Sequence, residues 1–146
     1  MLKDKRLLAA FGVTLFAAGF VAGDLAELGS VAEAQSEKVF EMRTYTALPG
    51  RLDALNARFR DHTMRIFRKH GMSNVGYWVP QDDPLAENTL IYIISHPSRE
   101  AAASNWDSFR ADPEWQRVAE ESQRDGRIVE SVEAVFMDAT DYSQIQ

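Results

Sequence analysis

The residues best suited to do chemistry lie in one short segment, Phe40–Tyr45. Within it Glu41, Arg43 and Tyr45 occupy alternate positions, and alternate residues of a β-strand point to the same face. Such an array could hold a ligand, with Arg43 binding an anion and Tyr45 donating a hydrogen bond. Alternatively, Glu41 and Arg43 could form a structural ion pair satisfied by neighbouring strands. The segment itself is compatible with both interpretations.

The three histidines are candidates for proton transfer, because their charge changes near neutral pH. His70 precedes Gly71 at a predicted helix end, where a cation complements the helix dipole. His62 lies beside the apolar stripe of that helix and has no cysteine or nearby histidine partner, so no metal site is predicted there. His96 ends a predicted strand just before Pro97. It could carry a proton or ligate a haem-type group, or it could simply close the strand.

These considerations give a set of candidate site residues. As catalytic candidates we predict Glu41, Tyr45 and His96. As ligand-binding candidates we predict Arg43, Tyr45, Tyr77, Tyr92 and His96. The sequence has no Ser–His–Asp order, phosphate-binding glycine loop or metal-ligand spacing. We therefore expect no metal and no cofactor.

The charge and cysteine content exclude several classes of function. The formal net charge is −6 at pH 7 and the chain has no cysteine. Nucleic-acid binding is not expected, because phosphates are bound by clustered Lys and Arg. Disulfides and thiolate metal sites are ruled out. A domain this small has a modest core, which favours oligomerisation as a way to bury more apolar surface.

The first 34 residues have the pattern of a bacterial signal peptide. Three basic residues lie within the first six, the segment Leu7–Gly23 is uncharged, and Ala32 and Ala34 form an A-x-A cleavage pattern. The apolar segment is shorter than the roughly 20 residues that a spanning helix needs. We expect cleavage after Ala34 and a periplasmic or secreted domain comprising residues 35–146. An uncleaved leader serving as a membrane anchor is the alternative.

Hydrophobic periodicity predicts the elements that must position the candidate residues. Strands are predicted over Lys38–Thr46, Val75–Val79, Thr89–His96 and Arg127–Met137. Helices are predicted from Arg51 to His70, from a Ser98 cap to Arg110, and in a short segment capped by Asp112 with Pro113 at its first position. The first helix should bury an apolar stripe and place Arg58, Arg65, Arg68 and Lys69 on a solvated face.

The order β-α-β-β-α-β predicts an α+β fold of the ferredoxin-like type, with both main helices on one side of a four-stranded antiparallel sheet. If Phe40 and Met42 face the helices, Glu41, Arg43 and Tyr45 must face the uncovered side. Two such sheets packed face to face would then enclose a cavity lined by these polar groups, and a two-fold homodimer is the commonest arrangement.

The sequence resembles the NIPSNAP family of the dimeric α/β-barrel superfamily over residues 38–138. The matching motifs are the E-x-R-x-Y strand from Glu41 to Tyr45, the Pro49-Gly50 turn, His70-Gly71, Gly76-Tyr77-Trp78, and D-P-E-W-Q from Asp112 to Gln116. One departure is that Tyr92, Ile94 and His96 stand where the family tends to have H-x-W-x-Y. The resemblance implies a homodimeric barrel and assigns little chemistry, since fold does not settle function.

Three functional hypotheses follow from the sequence. The first is an exported homodimer that binds a small apolar or anionic molecule between its sheets. The second is a cofactor-free monooxygenase or isomerase in which His96, Tyr45 or Glu41 accepts a proton. The third is an interaction module whose polar sheet face only specifies dimer geometry. A raised Glu41 pKa, or a hydrogen bond from His96 to an acid, would favour the enzyme.

Overall fold

A computed structural model describes residues 38–145 of the chain; the predicted leader, residues 1–34, lies outside the described residues. The four strands are β1 (Val39–Ala47), β2 (Ser73–Trp78), β3 (Thr89–His96) and β4 (Val129–Met137). They form one antiparallel sheet in the order β2-β3-β1-β4. The ferredoxin-like arrangement predicted from the element order is confirmed.

The helices also lie close to their predicted positions. They are α1 (Leu52–Arg58), α2 (Met64–Lys69), α3 (Arg99–Ala111) and α4 (Pro113–Glu121), with a short 3₁₀ turn at Leu85–Glu87. The Ser98 hydroxyl caps α3 by accepting from the Ala101 amide, and Asp112 caps α4. Gly50 and Gly71 have φ of +72° and +76°, which allows the turn before α1 and the end of α2.

A π-helical turn, Phe59–Thr63, joins α1 and α2 into one continuous helix. The Met64 amide donates to the Phe59 carbonyl five residues earlier, and the Thr63 hydroxyl donates to the Arg58 carbonyl at 3.1 Å. Single π turns are frequent at functional sites. Because this turn contains one residue more than an α-helical turn, it changes which residues of α1 and α2 point toward the sheet.

The core lies between the sheet and the helices. Leu55, Ile66 and Phe67 of the first helix are buried there against Tyr92 and Ile94 of β3. The predicted apolar stripe of that helix is confirmed. Among residues 38–145, no helix has the length and apolar character needed to cross a membrane.

The prediction that Glu41, Arg43 and Tyr45 face the uncovered side of the sheet is wrong. Glu41 accepts a hydrogen bond from Trp106 of α3, the Arg43 guanidinium lies over the Trp106 ring, and Tyr45 packs against Phe59. These three β1 residues therefore face the helices. Polar side chains can lie on this side because their polar groups find partners between the sheet and the helices.

We call the side of the sheet opposite the helices the open face. The strand register places on it an apolar set that is uncharacteristic of a solvated sheet: Phe40, Met42, Trp78, Ile91, Ile93, Val135 and Met137. Trp78 and Val135 are each 51% exposed. The segment Asp138–Ile145 lies across one end of this face and lines a cleft of about 280 Å³ with Phe40, Ile93 and Met137. Glu41 and Arg43, which were expected on this face, are absent from it, and the strand register places the acidic residue Glu133 there.

Candidate functional site between the sheet and the helices

Glu41 is the most completely bonded of the predicted site residues. Its Oε2 accepts a hydrogen bond from Trp106 Nε1 at 2.7 Å and another from His96 Nε2 at 3.0 Å. Asn105 Nδ2 lies 3.3 Å from His96 Nδ1, so Nδ1 accepts and Nε2 carries the proton. The imidazole therefore links Asn105 of α3 to the carboxylate on β1.

Burial and hydrogen bonding act in opposite directions on this carboxyl group. Burial raises the pKa of Glu41, but the hydrogen bonds from His96 and Trp106 and the charge of Arg43 outweigh it, so the pKa is lowered overall. The side chains of His96 and Glu41 are 0% and 2% exposed. An ionised, fully bonded carboxylate without accessible surface is suited to holding the fold together.

Arg43 is different because it is only partly buried. Its Nε lies 3.2 Å from Glu41 Oε1 in an ion pair, yet this nitrogen makes no hydrogen bond of acceptable geometry. The guanidinium carbon lies 4.1 Å from the centre of the Trp106 ring, within cation–π range. The side chain is 20% exposed. Arg43 thus keeps partial access to solvent, although its Nε is buried beside Glu41.

An aromatic row extends from β1 to β2 on the helix-facing side. Tyr45 and Tyr92 have ring centres 5.5 Å apart and hydroxyl oxygens 3.5 Å apart. Tyr77 stacks on Tyr92 at 5.3 Å, and Phe59 contacts all three rings. Burial raises the pKa of Tyr77 and of Tyr92 well above the ordinary value. Both phenols therefore stay neutral donors over the physiological pH range.

Arg58 was predicted on the solvated face of the first helix, and this prediction is wrong. Its exposed fraction is 7%, and its guanidinium carbon lies 5.5 Å from the centre of the Trp115 ring. A sequence signal was available, since Arg58 follows Leu52 and Leu55 at three-residue spacing and so continues their face. The solvated face was predicted for Arg58 because charged side chains are mostly exposed.

The structure brings all the sequence-predicted candidates to the same side of the sheet. On the helix-facing side lie Glu41, Arg43, Tyr45, Tyr77, Tyr92 and His96. Sequence reasoning missed the roles of Trp106, Trp115 and Arg58 in surrounding them. Tyr77 and Trp78 are adjacent in β2 and point to opposite sides of the sheet. No group of three or more His, Asp or Glu side chains in the described part of the chain could hold a metal ion.

The sheet is incompletely covered at β4, and this leaves an approach to the cluster. Ala134 and Val132 are the β4 partners of Arg43 and Tyr45, and both are exposed on the helix-facing side. A separate cleft of about 540 Å³ lies near β2 and is lined in part by Phe59, Met64 and Leu90. Tyr77 is the one predicted site residue that lines it.

The profile of the NIPSNAP family matches residues 40–144, which is most of the chain. The chain belongs to the NIPSNAP family. The family assignment made from the motifs is thereby confirmed.

Solved NIPSNAP structures share the fold of this NIPSNAP domain. A NIPSNAP family protein with unknown function from Agrobacterium tumefaciens has a TM-score of 0.66 at 24% identity, covering 76% of this chain and 96% of that one. An uncharacterized NIPSNAP-like domain protein from Burkholderia xenovorans has a TM-score of 0.64 at 18% identity, covering 74% and 90%. A second A. tumefaciens family protein has a TM-score of 0.65 at 21% identity, covering 75% and 99%. No curated protein matches the sequence.

The geometry explains two further motifs of this NIPSNAP domain. In D-P-E-W-Q, Asp112 accepts from the Glu114 amide at 2.8 Å, from Lys69 at 2.7 Å and from His70 at 2.6 Å. The motif therefore fastens α4 to the end of α2, and His70 is structural. In Gly76-Tyr77-Trp78, the Trp78 ring lies over Gly76, where a Cβ would stand 2.5 Å from it.

Proposed function

We propose that this NIPSNAP domain is an exported homodimer that binds a small molecule within each protomer, between the sheet and the helices. The observation that carries the proposal is the state of Arg43. Its side chain is partly exposed, and its guanidinium carbon lies 6.0 Å from the centre of the Tyr45 ring, at the end of an aromatic row. A ligand site combines apolar walls with a few such polar groups.

The position of the site differs from the one expected from the sequence. Because Arg43 and Tyr45 face the helices, the ligand lies inside a protomer and not in a cavity between two sheets. The exposed stretch of β4 opposite these residues, at Val132 and Ala134, provides the entrance. Tyr92 and Tyr77 continue the wall away from the entrance.

The geometry favours binding over proton-transfer catalysis. The hydrogen bond from His96 to Glu41 is of the kind expected for an enzyme, but the lowered Glu41 pKa points the other way. Neither side chain has surface that a substrate could reach. Tyr45 alone among the three catalytic candidates is partly exposed, and a lone phenol is a binding group more readily than a base.

The open face supports the homodimer. One layer of helices covers only one side of the sheet, and an extended apolar face is normally buried by a partner. Met42, Ile93 and Val135 occupy neighbouring positions on β1, β3 and β4, so a two-fold copy would meet apolar side chains with apolar side chains. This is the packing implied by the resemblance to dimeric α/β barrels.

The proposal that the protein is exported depends only on the signal-peptide pattern of the first 34 residues. Expression of the full chain should yield periplasmic protein whose N-terminal residue is Gln35. Intact mass and N-terminal sequencing measure this directly, and a membrane-bound product starting at Met1 would contradict it.

Native mass spectrometry of the periplasmic protein tests ligand binding. The wild type should appear as a dimer carrying a bound small-molecule mass on each protomer. Arg43→Ala should lose that mass and remain a folded dimer, because Glu41 keeps its hydrogen bonds from His96 and Trp106 and the open face is untouched. Arg68→Ala, which changes an exposed arginine of α2, is the control and should retain it. An Arg43→Ala dimer that keeps the same molecule would refute the site.

A further inference from the structure

Arg58 carries a buried charge for which the described residues supply no counter-ion. Its exposed fraction is 7%, and its Nε has no hydrogen-bond partner. Among residues 38–145, no carboxylate lies within ion-pair distance of it. Its guanidinium carbon lies 5.5 Å from the centre of the Trp115 ring, within cation–π range. Buried charges are normally paired, because an isolated ion in a protein interior is costly.

Arg58 lies close to the Arg43 site. Phe59, its neighbour in the chain, packs against the Tyr45 ring at 5.6 Å, and the Arg43 guanidinium carbon lies 6.0 Å from the centre of that same ring. Glu41 balances Arg43 at 3.2 Å, whereas no carboxylate among residues 38–145 balances Arg58. The positive charge of Arg58 is therefore in excess within this site. Burial lowers the pKa of Arg58, but a guanidinium stays protonated at neutral pH.

The surroundings of this excess charge are aromatic. Phe59 follows Arg58 in the chain and contacts Tyr45, while Trp115 lies beside the guanidinium. A ligand that satisfies both features needs one negative charge and an apolar body. A carboxylate matches a guanidinium in planar, two-bond geometry and carries a single charge, whereas a phosphate monoester would bring nearly two.

We propose that Arg58 binds the carboxylate headgroup of the ligand, which is a monocarboxylic acid with an apolar body. This inference rests on the proposed function and names its ligand class. Arg58 closes the inner end of the site, Arg43 and the Tyr45 hydroxyl contact the same headgroup, and the apolar body extends along the aromatic row.

A charged ligand and its neutral analogue of the same shape test the assignment. Ligand-stripped protein is titrated calorimetrically with 3-phenylpropionate and with 3-phenylpropanamide. The wild type should bind the acid at least about tenfold more tightly, as expected for hydrogen bonds to a charged group. Arg58→Gln should abolish this preference. Arg60→Gln, an exposed arginine two residues away, should preserve it. Equal binding of acid and amide by the wild type, or no binding of the acid, would overturn the proposal.

The stability of the empty protein supplies an independent test. If the Arg58 charge is unpaired until a ligand binds, Arg58→Met removes an unpaired buried charge from the ligand-stripped protein. The melting temperature of the stripped protein should therefore rise. The same variant should no longer be stabilised by 3-phenylpropionate, whereas the wild type should be. A fall in melting temperature would mean that Arg58 is a structural residue. A neutral molecule recovered from the wild-type dimer would overturn the carboxylate assignment and leave the proposed function standing.

Discussion

The indole nitrogen of Trp106 donates a hydrogen bond to Glu41 at 2.7 Å. The bond joins the middle of α3 to an interior strand of the sheet. Because Glu41 is two residues from Arg43, the same contact fixes the strand face on which the partly exposed guanidinium stands. The carboxylate is thus a support for the site, and Arg43 and Tyr45 are the groups that a ligand could reach.

Glu41→Gln should strongly destabilise the domain. The substitution keeps the shape of the side chain but removes the negative charge, which leaves Arg43 without its counter-ion in a largely buried position. Breaking a buried pair by removing one member costs about 3 kcal/mol or more. Urea unfolding measures the free energy directly. Glu120→Gln, which changes an exposed acid of α4, is the control. A loss for Glu41→Gln as small as the control's would show that the pair is not structural.

Trp106→Phe should cost more stability than Trp115→Phe, although both remove the same atoms. Trp106→Phe loses a hydrogen bond to a buried carboxylate and weakens the cation–π contact with Arg43, which together should cost about 2 kcal/mol. Trp115 makes ring contacts with Phe109 and Arg58, and about 1 kcal/mol is expected. Thermal unfolding of the two variants side by side gives the comparison. Equal losses would contradict the role of the indole nitrogen.

Acid should weaken the junction between α2 and α4. The hydrogen bonds from Lys69 and His70 hold the pKa of Asp112 well below its ordinary value. A carboxyl group with a depressed folded pKa contributes stability that is complete above its unfolded pKa of about 4 and is lost as the pH falls toward the folded pKa. We therefore expect the melting temperature, measured from pH 7 down to pH 2, to decrease once the pH is lower than about 4.

Asp112→Asn is the matched variant for this pH series. It keeps a capping oxygen for the Glu114 amide but cannot titrate. Its melting temperature should be lower than that of the wild type at pH 7, and the difference should shrink in acid. A constant difference across the series would exclude Asp112 as a source of the acid sensitivity.

Most of the fold could be predicted from the sequence because each element carries a local signal. Alternation marks β1, β-branched residues mark β3, and the Ser98 and Asp112 caps mark where two helices begin. The order of the elements along the chain then indicates the ferredoxin-like arrangement, and right-handed crossovers place both main helices on one side of the sheet. Nothing in these steps requires knowledge of contacts between distant residues.

The facing of β1 could not be predicted in this way. Both faces of the strand carry bulky side chains, with Phe40 and Met42 on one and Glu41, Arg43 and Tyr45 on the other. The apolar pair appeared to belong to the core. The deciding partners, Trp106 and His96, are more than fifty residues away in the chain, and they satisfy a buried carboxylate that would otherwise be too costly to bury.

The most direct test of the account asks whether the ligand belongs to one protomer or to the gap between two sheets. Val135→Arg places a charge on the open face, and Val132→Arg places the same charge on the opposite face of β4. In native mass spectra we predict that Val135→Arg is a monomer that still carries the bound molecule, while Val132→Arg remains a dimer. Loss of the bound molecule together with the dimer in Val135→Arg would contradict the account.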